Sequence, residues 1–82
     1  MVSSNGNKVP NQFIIKTDKG TYFQSYDSII VFEPLEGKTQ LDKHLWDYSK
    51  TTGKYRNIFL SESKKETEEK INNGTYELVS LN

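Results

Sequence analysis

"WDYSKTTGKYRNIFL", residues 46–60, decides between two architectures. Read with the period of a helix, Tyr55 and Phe59 lie four apart on one face, with Ile58 beside it. Ser49, Thr51 or Thr52 then supplies the cap, and a short helix runs over roughly 52–60. The competing reading makes "KTTG" the turn of another hairpin. The helical reading divides the chain into a β-rich first half and a helical second half.

Downstream, "SKKE" at 63–66 has capping-box spacing: Ser63 accepts from the amide three residues on, and Glu66 returns to the cap. "KKETEEKINN" therefore continues as a second helix to Asn72 or Asn73, with Gly74 as its stop. Thr67 and Ile71 are its inward positions. Glu66 and Lys70 are spaced for an ion pair worth a few tenths of a kcal/mol. "YELVSL" alternates as a strand that returns to the sheet.

Upstream, "QFIIKT", the turn "DKG" and "TYFQSY" form a hairpin over residues 12–25. "SIIVFEP" is a continuous β-branched run, the pattern of a strand buried on both faces. Pro34 and "LEGK" close it, and "KTQL" is its partner. The order β-β-β-β-α-α-β predicts an α+β domain over residues 12–82: a small antiparallel sheet of about five strands with two short helices on one face. Residues 1–11, rich in Asn, Ser and Gly, read as a flexible tail.

Eighty-two residues allow one small domain. The hydrophobic share is only 33%, but one Trp, five Tyr and four Phe supply large buried areas from few positions. With no cysteine, disulfides and thiolate metal sites are excluded, which fits a reducing cytoplasm. The start is too polar for a signal peptide, and no segment is apolar and long enough for a membrane helix. Eleven basic residues balance eleven acidic ones, against the basic excess of a dedicated nucleic-acid binder. The balance is local, however: Lys50, Lys54 and Arg56 cluster without an acid, while Glu62, Glu66, Glu68, Glu69 and Glu77 make the end acidic.

Catalytic chemistry finds little support. "GKT" at 37–39 would need a P-loop glycine where Phe32 stands, and "TGKY" puts Tyr55 in place of the metal-binding hydroxyl. His44 is the sole histidine, and Asp42 and Asp47 do not complete a ligand spacing with it. The bland reading of these three is an exposed connector. "NGT" at 73–75 matches a glycosylation acceptor that a cytoplasmic chain never presents. No catalytic residue, metal site or cofactor is expected.

Two readings of residues 46–60 remain. In one, Lys50, Lys54 and Arg56 supply charge, Thr51 and Thr52 supply donors at a helix start, and Tyr48 or Tyr55 stacks on a base or lines a partner's groove. Tyr26 and Trp46 are weaker anchors of that surface. In the other, Trp46, Tyr55 and Phe59 are core, the threonines are caps and the cations are solvated. Alanine at Lys54 and Arg56 separates them: a contact role loses binding with the melting temperature unchanged, a structural role loses stability.

"GTYFQSYDSIIVF", "TQLDKHLWDYSKTTGKYRNIFL" and "KKETEEKINNGTYELVSLN" together resemble a family of small uncharacterised proteins of phages, prophages and plasmids of low-GC Gram-positive bacteria. The resemblance covers residues 13 to about 81. Two features depart from it: the "MVSSNGNKVPN" tail, and Ser61 where the family pattern has glycine. It implies a small accessory protein of the host cytoplasm that binds and inhibits or modulates a bacterial host protein, such as a defence nuclease in an anti-CRISPR role. The basic turn at 50–56 keeps a nucleic-acid or nucleotide partner as the alternative. Edge strands and exposed rings also permit a homodimer.

Overall fold

The computed structural model describes residues 10–82, so most of the expected 1–11 tail lies outside the described residues. Five strands, β1 (Gln12–Thr17), β2 (Gly20–Ser25), β3 (Ser28–Pro34), β4 (Gln40–Asp42) and β5 (Glu77–Val79), form one sheet in chain order. Helices α1 (Lys50–Leu60) and α2 (Lys64–Asn72) lie in sequence between β4 and β5. The α+β order is the expected one. The sheet is mixed rather than antiparallel, because β5 pairs parallel to β4. The two-helix excursion is long enough to carry the chain back to the same end of the sheet, as a parallel connection requires.

β1 and β2 pair from Gln12 opposite Ser25 to Thr17 opposite Gly20. In that register Ile14, Phe23, Val31 and Leu41 share the face the helices cover. Phe23, Ile30, Val31 and Leu41 are fully buried and form the core, against which Phe59, Leu60 and Ile71 of the helices pack. Phe23 and Phe59 stack with ring centroids 5.6 Å apart.

"SIIVFEP" is not buried equally on both faces. Phe23 pairs with Val31 but Gln24 with Ile29, so Ile30 is the extra residue of a β-bulge. A bulge bends the strand and breaks strict alternation, which lets the consecutive residues Ile30 and Val31 both reach zero exposure. Ile29 and Phe32 are only half-buried. Phe32 stacks on its cross-strand neighbour Tyr22 at 4.4 Å, on the face the helices leave uncovered.

The break between the helices is a Schellman-type turn. Ser61 adopts the left-handed conformation at φ 56°, Glu62 N–H donates to Asn57 O and Ser61 N–H to Ile58 O. Serine therefore occupies the position where glycine was expected, at a cost of about 1–2 kcal/mol relative to an unstrained residue. The capping box at Ser63 and Glu66 forms as expected. Glu66 is thereby committed to the cap, and Lys70 pairs with Glu62 instead, at 2.5 Å. Gly74, at φ 84°, follows α2 as its stop.

Candidate functional site: a lysine-rimmed cleft at the start of α1

Helix α1 starts two residues earlier than the sequence pattern predicts, because Ser49, not a threonine, is its cap: its Oγ accepts from Thr52 N–H at 3.1 Å. Counting from this start turns Thr52 and Arg56, four apart, to the inner face. Thr52 is fully buried, and its hydroxyl meets that of Ser25 at 2.9 Å. The bond ties the β2 end to the first turn of α1. It also places the Tyr26–Asp27 turn, one residue beyond Ser25, beside the helix entrance.

Arg56 is 1% exposed, which corrects its place on a basic surface. Its guanidinium lies over the Trp46 ring, 5.1 Å from the centroid. One terminal nitrogen donates to Trp46 O at 2.6 Å and to Asp47 Oδ1 at 3.1 Å, and the other to Asn57 Oδ1 at 2.9 Å. A planar fork with several fixed donors is what such a three-way bracket needs, and lysine lacks it. Asp47 is bridged on its other oxygen by Lys64 at 2.7 Å. Burial pushes the Asp47 carboxyl up, but the hydrogen bonds and charges of Lys64 and Arg56 outweigh it and hold it below its ordinary range.

This bracket floors an open cleft of about 420 Å³, lined also by Ser49, Lys50, Gly53, Lys54 and Asn57. Lys50, Lys54 and Lys64 are exposed on its rim. A Cβ on Gly53 would stand 3.4 Å from Asp47 Oδ1 and 3.7 Å from the Arg56 nitrogens, ordinary contact distances. Lys54 also reaches the half-buried Tyr55 ring, at 5.3 Å.

The expected contact residues therefore divide. Lys50, Thr51 and Lys54 are exposed, and Lys50 and Lys54 line the cleft. Thr52 and Arg56 are interior, and cannot offer side chains to a partner without unpacking. Trp46 and Tyr55 are half-buried, and Trp46 lines a second, smaller cleft of about 240 Å³ with Ile71 and Leu78. Tyr26 is 46% exposed and held at φ 57°, a strained conformation for an aromatic residue. Its carbonyl accepts from Gln24 Nε2 at 2.7 Å. Tyr48, the alternative to Tyr55 as a contact ring, is equally exposed on the approach to α1.

Asp42, His44 and Asp47 do not converge, and Asp42 is no exposed connector. Its carboxylate is buried and accepts from His44 and Leu45 N–H on one oxygen and from Leu81 N–H and Asn82 Nδ2 on the other. Burial raises its carboxyl, and those four donors outweigh burial and lower it. Glu62 is a second inward carboxylate that sequence reasoning passed over. It accepts from Thr67 Oγ1 at 3.0 Å, Tyr76 OH at 2.6 Å and Lys70 Nζ. The signal for it was its place just past a helix end, followed by a capping serine. Among the described residues no group of three or more His, Asp or Glu is placed to hold a metal ion. No helix among them is long and apolar enough to cross a membrane.

A family model, the family of unknown function DUF8033, matches residues 1–74. The chain belongs to that family. The match takes in the first eleven residues, which the resemblance noted above had set outside, and ends at Gly74, before β5. No curated protein and no solved structure matches this DUF8033 chain. In this member, then, the family's extent covers the first four strands, both helices and the whole lysine-rimmed cleft.

Proposed function

We propose that this DUF8033 protein is a binding protein rather than an enzyme, and that it docks on an acidic surface of a bacterial host protein. The observation that carries the reading is the cleft at the start of α1. Its floor is fixed by the buried Arg56 and its half-buried partner Asp47, which Lys64 bridges from the rim, while the outer cations Lys50 and Lys54 are exposed beside it. A rigid floor lowers the ordering cost of binding, and a cationic rim steers an acidic partner. Tyr26 and Tyr48, exposed near the same helix entrance, are the rings we assign to the edge of the contact. Inhibition by occupancy is the expected mode. The resemblance to phage and plasmid proteins supports the narrower form, an accessory protein of the host cytoplasm that blocks a defence nuclease in the manner of an anti-CRISPR.

The test is a tagged pull-down from nuclease-treated bacterial lysate with the native chain and with Lys50→Glu/Lys54→Glu. A stoichiometric protein captured only by the native chain supports the reading, provided both melt at the same temperature. Equal capture by both removes the cleft from the contact.

A second reading has its own observation: Ser49 and Lys50, at the start of α1, line the same cleft, and helix starts favour phosphate. It predicts binding to single-stranded oligonucleotides that weakens steeply with salt as counterions are released. Binding that is insensitive to salt, or none, eliminates it.

A further inference from the structure

We infer that the outer edge of β1 is a self-pairing interface, through which two copies of this chain join antiparallel about Ile14 into one continuous sheet. The inference is independent of the cleft.

The two edges of the sheet differ. β5 offers three residues, whereas β1 offers six. The hydrogen-bond parity of β1 is fixed by Tyr26 N–H, which donates to Asn11 O in the same register that pairs Phe13 with Gln24 and Ile15 with Tyr22. Inter-strand bonds of an antiparallel pair alternate along the strand. Odd-numbered residues of β1 therefore bond to β2, and Gln12, Ile14 and Lys16 turn their N–H and C=O groups outward. Among the described residues no strand takes them.

Natural edges are guarded by charges, proline or a bulge. β1 carries no internal proline and one charge, Lys16, and the sheet's bulge lies on β3. Instead it exposes three successive large apolar side chains: Phe13 at 41%, Ile14 at 41% and Ile15 at 38%.

The strand is complementary to itself in one register. A two-fold axis at Ile14 sets Ile14 against Ile14 and Gln12 against Lys16, so every outward-facing residue gains a partner. Axes at Phe13 or Ile15 leave one of them unpaired, and an axis at Lys16 sets two ammonium groups face to face. The same axis sets Phe13 against Ile15 on the uncovered face, extending the apolar row Ile15–Tyr22–Phe32 across the junction. A foreign strand would have to carry that pattern by chance, whereas a second copy carries it by identity.

Sedimentation equilibrium of the full chain at rising concentration tests the inference. The expected mass rises from 9.5 kDa to twice that value. Ile14→Lys and Ile14→Glu should each stay monomeric at concentrations where the native chain pairs, and their equimolar mixture should pair again. Amide exchange on the native chain covers the case of a variant that does not fold. The Ile14 and Lys16 amides should slow by on the order of tenfold between dilute and concentrated samples, while the Phe13 and Ile15 amides are protected in both. A monomer at every concentration overturns self-pairing and leaves the edge to a foreign strand. A mixture of variants that stays monomeric overturns the register, and growth beyond the dimer overturns the single interface.

Discussion

Helices α1 and α2 are separated by three residues and have opposite interiors. α2 buries one residue, Thr67, and is held by its capping box and by the Lys70–Glu62 pair. α1 buries Thr52, Gly53 and Arg56, and each of the two polar side chains is answered from another part of the chain: Ser25 in β2, Trp46 and Asp47 in the connector. A helix held by its own termini needs little from its surroundings. A helix that carries a guanidinium inward depends on them entirely, because a buried charge without partners costs far more than a missed surface contact.

The most damaging change should be Arg56→Ala. It strips Trp46 O, Asp47 and Asn57 of their shared donor, and a loss of about 3–5 kcal/mol is expected by chemical denaturation. Arg56→Lys should recover only part of it, since a single ammonium nitrogen cannot take the places of both guanidinium nitrogens that reach these acceptors. An alanine variant as stable as the native chain would break the contrast between the helices. Thr52→Val keeps the volume and orphans the Ser25 hydroxyl, for an expected loss of about 1–3 kcal/mol.

The contrast has a pH signature as well. Asp42, Asp47 and Glu62 are all held below their ordinary values of 3.8, 3.8 and 4.5, burial being outweighed by their hydrogen bonds. Lowered carboxylates stabilise the fold fully above those ordinary values, and that stability is lost as pH falls through the lower folded ones. Tyr76 is shifted the other way, to about 12, by burial first and then by its bond to Glu62. Its contribution is present below pH 10 and lost as pH rises from 10 towards 12, where only the unfolded chain ionises readily. Melting temperatures across pH should therefore fall at both ends, and Tyr76→Phe should flatten the alkaline limb. An unchanged alkaline limb would remove the Glu62–Tyr76 bond from the account.

Two smaller changes probe the helix ends. Ser61→Gly removes the left-handed strain between the helices and should stabilise by about 1 kcal/mol. Ser63→Ala removes the α2 cap and should cost about 1 kcal/mol. Gly53→Ala should also stabilise, by about 0.5–1 kcal/mol, since its Cβ meets only ordinary contacts. If that variant gains stability yet loses its partner, the open cleft floor is the reason glycine stands there.

Much of this architecture was legible beforehand. The hairpin at 12–25, the cap at Ser63 and the stop at Gly74 are local signals, decided by residues within a turn of one another. Arg56 was not legible, because a basic residue among lysines reads as surface until its partners are known. Two of those partners, Trp46 and Asp47, lie on the connector rather than on the helix. Asp42 was missed for the same reason, as its donors come from residues 44–45 and 81–82. The bulge at Ile30 escaped as well, since a run of apolar residues has no period from which a slip can be read.

Taken alone, the sequence determined the element order, the α+β class and the ends of α2, because hydrophobic period, turn residues and caps act over a few bonds. Tertiary structure alone decided which charges are interior, which face of the sheet stays uncovered and which cations rim the cleft. Those outcomes depend on groups distant in the chain meeting in space. The free energy of a buried charge is set by the partners it meets there, not by the residues beside it in sequence.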